Sequence, residues 1–168
     1  MDNIILDGYV ARYLKETWLK LSRDGILISI EAFDLRELKP PETYVSHFLC
    51  GEKNHSIEIC CQQVLSIYED KRFFRFPFAC ILNIEEVLDQ INTDNANNIE
   101  YRESSLPHCG LFYNDELDNA DLLEIKTTLT LLANENLLQL SQSNNQQFDN
   151  IKRILNLRCK MLPKPLPL

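Results

Sequence analysis

The residues most able to do chemistry lie in one short stretch, Ser104-Ser-Leu-Pro-His-Cys-Gly-Leu-Phe-Tyr113. Pro107 fixes a bend there, Gly110 is free to take a positive φ, and His108 and Cys109 stand between them as a base beside a thiol. In an enzyme, Cys109 would be the nucleophile and His108 its base, in a cysteine-dependent hydrolase or a thiol-redox protein. That chemistry needs the base within hydrogen-bond reach and a lowered thiol pKa. Adjacent side chains of an extended stretch point to opposite faces, so His108 is badly placed to activate Cys109. A hydrogen bond that pins the turn is the better task for His108, and the bend reads as structural first.

Metal chemistry fares no better. His47-x-x-Cys50, Cys60-Cys61 and His108-Cys109 supply the ligand types of a tetrahedral zinc site. They lack the paired knuckle spacing, C-x-x-C or C-x-x-x-x-C, that structural zinc uses. Phe48, Leu49, Ile57 and Ile59 surround these cysteines with apolar neighbours, as suits small buried thiols. No metal and no cofactor are expected. The four glycines stand far apart, so no phosphate cradle of either G-x-G-x-x-G or G-x-x-x-x-G-K-[ST] type can form. Carboxylate pairs such as Glu85-Glu86 and Asp115-Glu116 are adjacent and so diverge on any regular element, which fits helix capping better than acid–base catalysis.

Charge is distributed unevenly. The net charge is −8, yet every acidic residue lies at or before Asp149, and the 19 residues after it carry five basic groups and no acid. Between Glu85 and Glu124 there are 11 acidic residues against Arg102 alone. Such a surface repels nucleic-acid phosphates and favours a basic protein partner. Within it Asp115, Glu116, Asp118 and Asp121 form the candidate partner-binding group.

The six cysteines are read as free thiols of a cytoplasmic protein. The N-terminus, Met-Asp-Asn-Ile-Ile-Leu-Asp, has no basic segment before its short apolar stretch and does not read as a signal peptide. No apolar run approaches the roughly 18 residues of a membrane span.

The elements that must position these residues follow from periodicity. Tyr9 to Leu21 places apolar residues at helical spacings, and Ile26 to Phe33 reads as a buried strand from its β-branched content. Thr43 to Cys50 is a second strand. Ser56 to Glu69 fits a helical stripe without a gap and nearly fits alternation, and the unbroken stripe favours helix. Arg72 to Leu82 reads as a strand whose Pro77 points to a sheet edge or a bulge. Asn83-Ile-Glu-Glu86 is a capping-box pattern opening a short helix over 84–92. Ile99 to Glu103 and Gly110 to Tyr113 are strands flanking the bend. Asp118 or Asn119 caps a long helix over about 120–141. A C-terminal basic helix follows over about 148–161, and residues 163–168 form an extended Pro-rich tail.

Leu106 to Leu111, with the helix from Ala120 to about Leu140, resembles small uncharacterised prokaryotic proteins. These carry a Pro-x-x-His or Pro-His turn, small residues and an aliphatic, then a Leu/Ala-rich helix. Cys109-Gly110 stands where they more often have Ala with a small residue. The resemblance covers about a fifth of the chain and implies no activity.

The expected architecture is a single α+β domain over 1–162, with helices packed on a mainly antiparallel sheet. The expected function is non-enzymatic: protein–protein binding through the acidic surface, as an inhibitor, immunity or accessory component of a bacterial effector or defence locus. The alternatives are the Cys109-centred enzyme and a self-associating module. In the latter, a homodimer, the basic C-terminal helix docks on the acidic region of a second copy.

Overall fold

A computed structural model describes residues 6–23, 25–35, 40–70, 78–92, 98–140 and 160–161. The strands are β1 (Tyr9–Leu14), β2 (Leu19–Ser22), β3 (Gly25–Ile28), β4 (Val45–Gly51), β5 (Phe78–Asn83), β6 (Ile99–Ser105), β7 (His108–Tyr113), β8 (Leu137–Gln139) and β9 (Lys160–Met161). The α-helices are α1 (Ile57–Asp70), α2 (Ile84–Ile91) and α3 (Asn119–Glu135). Seven strands form one sheet in the order β6-β7-β4-β1-β5-β8-β9, and β2–β3 is a separate hairpin. Every pairing is antiparallel except β8–β9. The α+β reading therefore holds.

Two hydrophobic cores lie on the two faces of this sheet. One contains Val10, Leu14, Cys80 and Leu82 from the strands, with Ile84 and Val87 of α2, Ile125 and Leu129 of α3, and Phe33. The other contains Ala11, Tyr13, Phe48, Ala79 and Ile81 against Cys60, Val64 and Tyr68 of α1. Residues alternate between the two cores along β1 and β5, the period-2 rule applied to strands covered on both sides.

That double burial explains the largest departure from expectation. Tyr9 to Leu21 is not a helix but β1, a 3-10 turn at Glu16–Trp18 and β2. All of Val10 to Leu14 are buried, so the segment shows no polar alternation, and its apolar residues coincide with a helical stripe. The same ambiguity misplaces the end of the long helix. α3 stops at Glu135, not near 141, and Leu137 and Leu138 belong to β8 and point to opposite cores.

Other boundaries also move. The strand expected over 26–33 ends at Ile28, and Ile30–Phe33 is a 3-10 turn packed against α3. β5 lies inside the sheet between β1 and β8, so it is not the edge strand that Pro77 suggested; Pro77 itself and 72–76 lie outside the described residues. The basic helix expected over 148–161 and the 163–168 tail also lie outside them, save Lys160–Met161, which form a strand. The helical choice for Ser56 to Glu69 holds as α1, and 84–92 holds as α2.

The starts of α2 and α3 follow local rules. Asn83 accepts from the Glu86 amide (3.2 Å) and Asp118 from the Asp121 amide (2.8 Å), each satisfying a donor that a helix N-terminus leaves free. The bend at Leu106-Pro107, a cis peptide, joins β6 to β7 as a hairpin.

Candidate functional site

The four acidic residues singled out by charge occupy the connection from β7 into α3, and all are exposed. Asn114 shapes this connection: its Oδ1 accepts from the Glu116 amide (3.0 Å), and its carbonyl accepts from the Leu117 amide (3.2 Å). Asp118 is committed to the α3 cap, which fixes its carboxylate at the helix start. Among the described residues no ion pair involves any of the four. By contrast Glu85 is paired with Lys53 at 2.9 Å, and Glu100 with Arg102 at 2.6 Å, so the acidic stretch is partly neutralised elsewhere.

Next to this connection is a cleft of about 650 Å³. Leu35, Phe112, Leu117 and Leu122 give it an apolar lining, and Glu42, Glu100, Asp115 and Arg102 give it charge. Phe112 and the Glu100–Arg102 pair come from the face of the β6–β7 hairpin opposite Leu111 and Tyr101, which enter the core beneath α2 and α3. Arg102 lies over the Phe112 ring (4.7 Å to the centroid) while Nε and Nη2 both donate to Glu100 Oε2. Of the four acids only Asp115 lines the cleft; Glu116, Asp118 and Asp121 extend its charge along the surface.

His108 and Cys109 part as alternation requires. His108 is exposed and its ring packs on Phe48 (4.3 Å between centroids), whereas Cys109 is buried. Burial pushes the Cys109 thiol up to about 12, far from a reactive thiolate at neutral pH. Gly110 does not use positive φ; that conformation belongs to Gly8 and Gly25. Its role is close approach, since a Cβ there would stand 2.6 Å from the Tyr44 ring.

Sequence reading missed a buried polar row behind the bend. His47 of β4 stands opposite Cys109 of β7, and Arg12 of β1 stands opposite Cys80 of β5. Arg12 is almost fully buried, with Nε donating to the Ala32 carbonyl and Nη1 to the Ser46 carbonyl, both at 2.6 Å, and Trp18 stacked on its guanidinium. His47 Nδ1 donates to the Val45 carbonyl at 2.9 Å, which leaves Nε2 of the neutral ring as an acceptor. Burial and the Arg12 charge lower the His47 pKa to about 3. Tyr101 packs edge-on to this ring, and its hydroxyl, like His47 Nε2, has no hydrogen-bond partner among the described residues. The row thus holds an imidazole whose pKa is lowered and thiols at Cys80 and Cys109 whose pKa values burial raises. A signal was present in Arg12, a charge inside an apolar run, but only the sheet register brings it to His47.

Among the described residues no three metal-ligating side chains converge, and no helix is long and apolar enough to cross a membrane. Compared with known proteins, the chain matches no family model, no curated protein and no solved structure.

Proposed function

We propose that this chain is a non-enzymatic protein that binds a protein partner presenting a basic surface, with Asp115, Glu116, Asp118 and Asp121 at the contact. The observation that carries this reading is their common exposure beside a charged, apolar-lined cleft. A partner side chain with an aliphatic stem and a cationic head, lysine or arginine, matches such a lining: the stem covers Phe112 and Leu117 while the head meets Asp115. Surface acids contribute steering and register more than lifetime. The buried, high-pKa Cys109 supports the non-enzymatic choice over a cysteine hydrolase.

The test is association with a partner recovered from the native host, comparing wild type with the fourfold variant Asp115→Asn, Glu116→Gln, Asp118→Asn, Asp121→Asn. The variant keeps the shape of each side chain and the capping ability of residue 118. Slower association with unchanged folding is expected. Equal association rates would assign these acids to solubility alone.

A further inference from the structure

The end of β4 and the first turn of α1 bring two thiols together. Cys50 is the next-to-last residue of β4, and Cys60 is the fourth residue of α1, with its amide bonded to the Ser56 carbonyl. Both are buried, in the core under α1. A Cβ built on Gly51 would stand 2.3 Å from the Cys60 sulfur, so the thiol rests against the backbone immediately following Cys50. Any larger residue at 51 would displace it. The Cys60 sulfur and the Cys50 side chain therefore share one small region of that core. The neighbouring Cys60, with burial, raises the Cys50 pKa, whereas Cys50 lowers that of Cys60, so Cys60 is the thiol closer to ionisation. Cys61, the neighbour in sequence, is also buried but leaves the helix about 100° further round.

We propose that Cys50 and Cys60 form a redox pair that a peroxide converts into an intramolecular disulfide joining β4 to α1. The Cys60 thiolate attacks one peroxide oxygen: an S–O bond forms, the O–O bond breaks, and the departing oxygen leaves as water after taking a proton. The resulting sulfenic acid is then attacked by Cys50. The S–S bond forms, the S–O bond breaks, and a second water leaves with the Cys50 proton. Two thiols lose two electrons and the peroxide gains them. Because both sulfurs are covered, the reaction proceeds through local opening of the exposed connection 52–56, whose His55 lies beside the same spot. The disulfide then ties the opened connection to the sheet.

The test treats the folded full-length protein with hydrogen peroxide, then denatures and alkylates it for intact mass and peptide mapping. Four alkylations instead of six are expected, with the Cys50 and Cys60 peptides joined and separated again by dithiothreitol. Cys61→Ser should keep the cross-link, and Cys50→Ser should abolish it and leave a sulfenic acid on Cys60 that dimedone captures. Circular dichroism before and after oxidation confirms that the folded protein reacted. Six alkylations after peroxide, or a cross-link from Cys61 or Cys109, would overturn the proposal. Should Cys50→Ser not fold, the wild-type peptide map decides alone.

Discussion

His47 on β4 stands opposite Cys109 on β7, and its imidazole makes its hydrogen bond to its own strand instead. The imidazole spends its Nδ1 proton on the Val45 carbonyl, and among the described residues its Nε2 reaches no donor, the Cys109 thiol included. Both groups are fully covered. Each is held in its uncharged form, Cys109 by burial and His47 by burial together with the Arg12 charge.

The neutral His47 makes folding sensitive to mild acid. Its pKa is 6.5 in the unfolded chain and about 3 in the fold, so between these values the unfolded state binds the extra proton. The stabilisation is complete above 6.5 and is lost as pH falls through that window. The loss reaches about 2 kcal/mol by pH 5, at about 1.4 kcal/mol per pH unit. Urea unfolding of wild type and His47→Asn at pH 7.5, 6 and 5 checks this: the variant should be less stable at neutral pH but lack this component of the slope. Parallel slopes in the two proteins would place the imidazole in contact with water.

Glycines 8 and 110 should fail for different reasons. At Gly110 an added Cβ meets the rings of Tyr44 and Phe112, side chains that can shift, so Gly110→Ala should cost about 1–3 kcal/mol. At Gly8 the φ of +94° is itself unfavourable to an L side chain, and the Cβ would meet the Gly51 carbonyl, which belongs to the sheet. Gly8→Ala should therefore be the more destabilising of the two by thermal denaturation. The reverse order would mean that the β7 side of the sheet is the more rigid.

Removing the α3 cap should be a local loss. Asp118→Ala leaves the Asp121 amide without its side-chain partner and should cost about 1 kcal/mol, whereas Asp118→Asn should be close to neutral. Thermal melts of the three proteins decide it. Equal losses for Ala and Asn would mean that the charge at the helix start matters more than the hydrogen bond.

These cases mark what was legible in the sequence. The caps at Asn83 and Asp118 were readable because a cap is a contact between residues three apart. The parting of His108 and Cys109 was readable from strand alternation alone. β1 was not, because a strand covered on both faces loses the alternation that identifies it. Leu137 and Leu138 extended the α3 stripe by composition, yet each fills a different core, a fact set by the partner strand β5. The Arg12–His47 row and the Cys50–Cys60 contact depend on register and helix docking across long sequence separations, which no local pattern carries.

Opposite charge changes in the cleft give the sharpest test of the binding reading. Asp115 and Arg102 line the same cleft, one favouring a cationic head and the other opposing it. Arg102 is held by Glu100 and by the Phe112 ring, so Arg102→Gln removes a positive charge and leaves the Glu100 carboxylate without its guanidinium. Association with a basic partner should then speed up by a few-fold, while Asp115→Asn slows it by a similar factor, each on the order of the effect of one charge on steered encounter. Both differences should shrink as salt rises, because at 0.15 M the screening length is about 8 Å. Dissociation rates should change less than association rates if Asp115 acts from the rim. Association kinetics across a salt series measures all of this with two variants. If both substitutions shift the rate in the same direction, the cleft is responding to shape, and the charge argument for this surface fails.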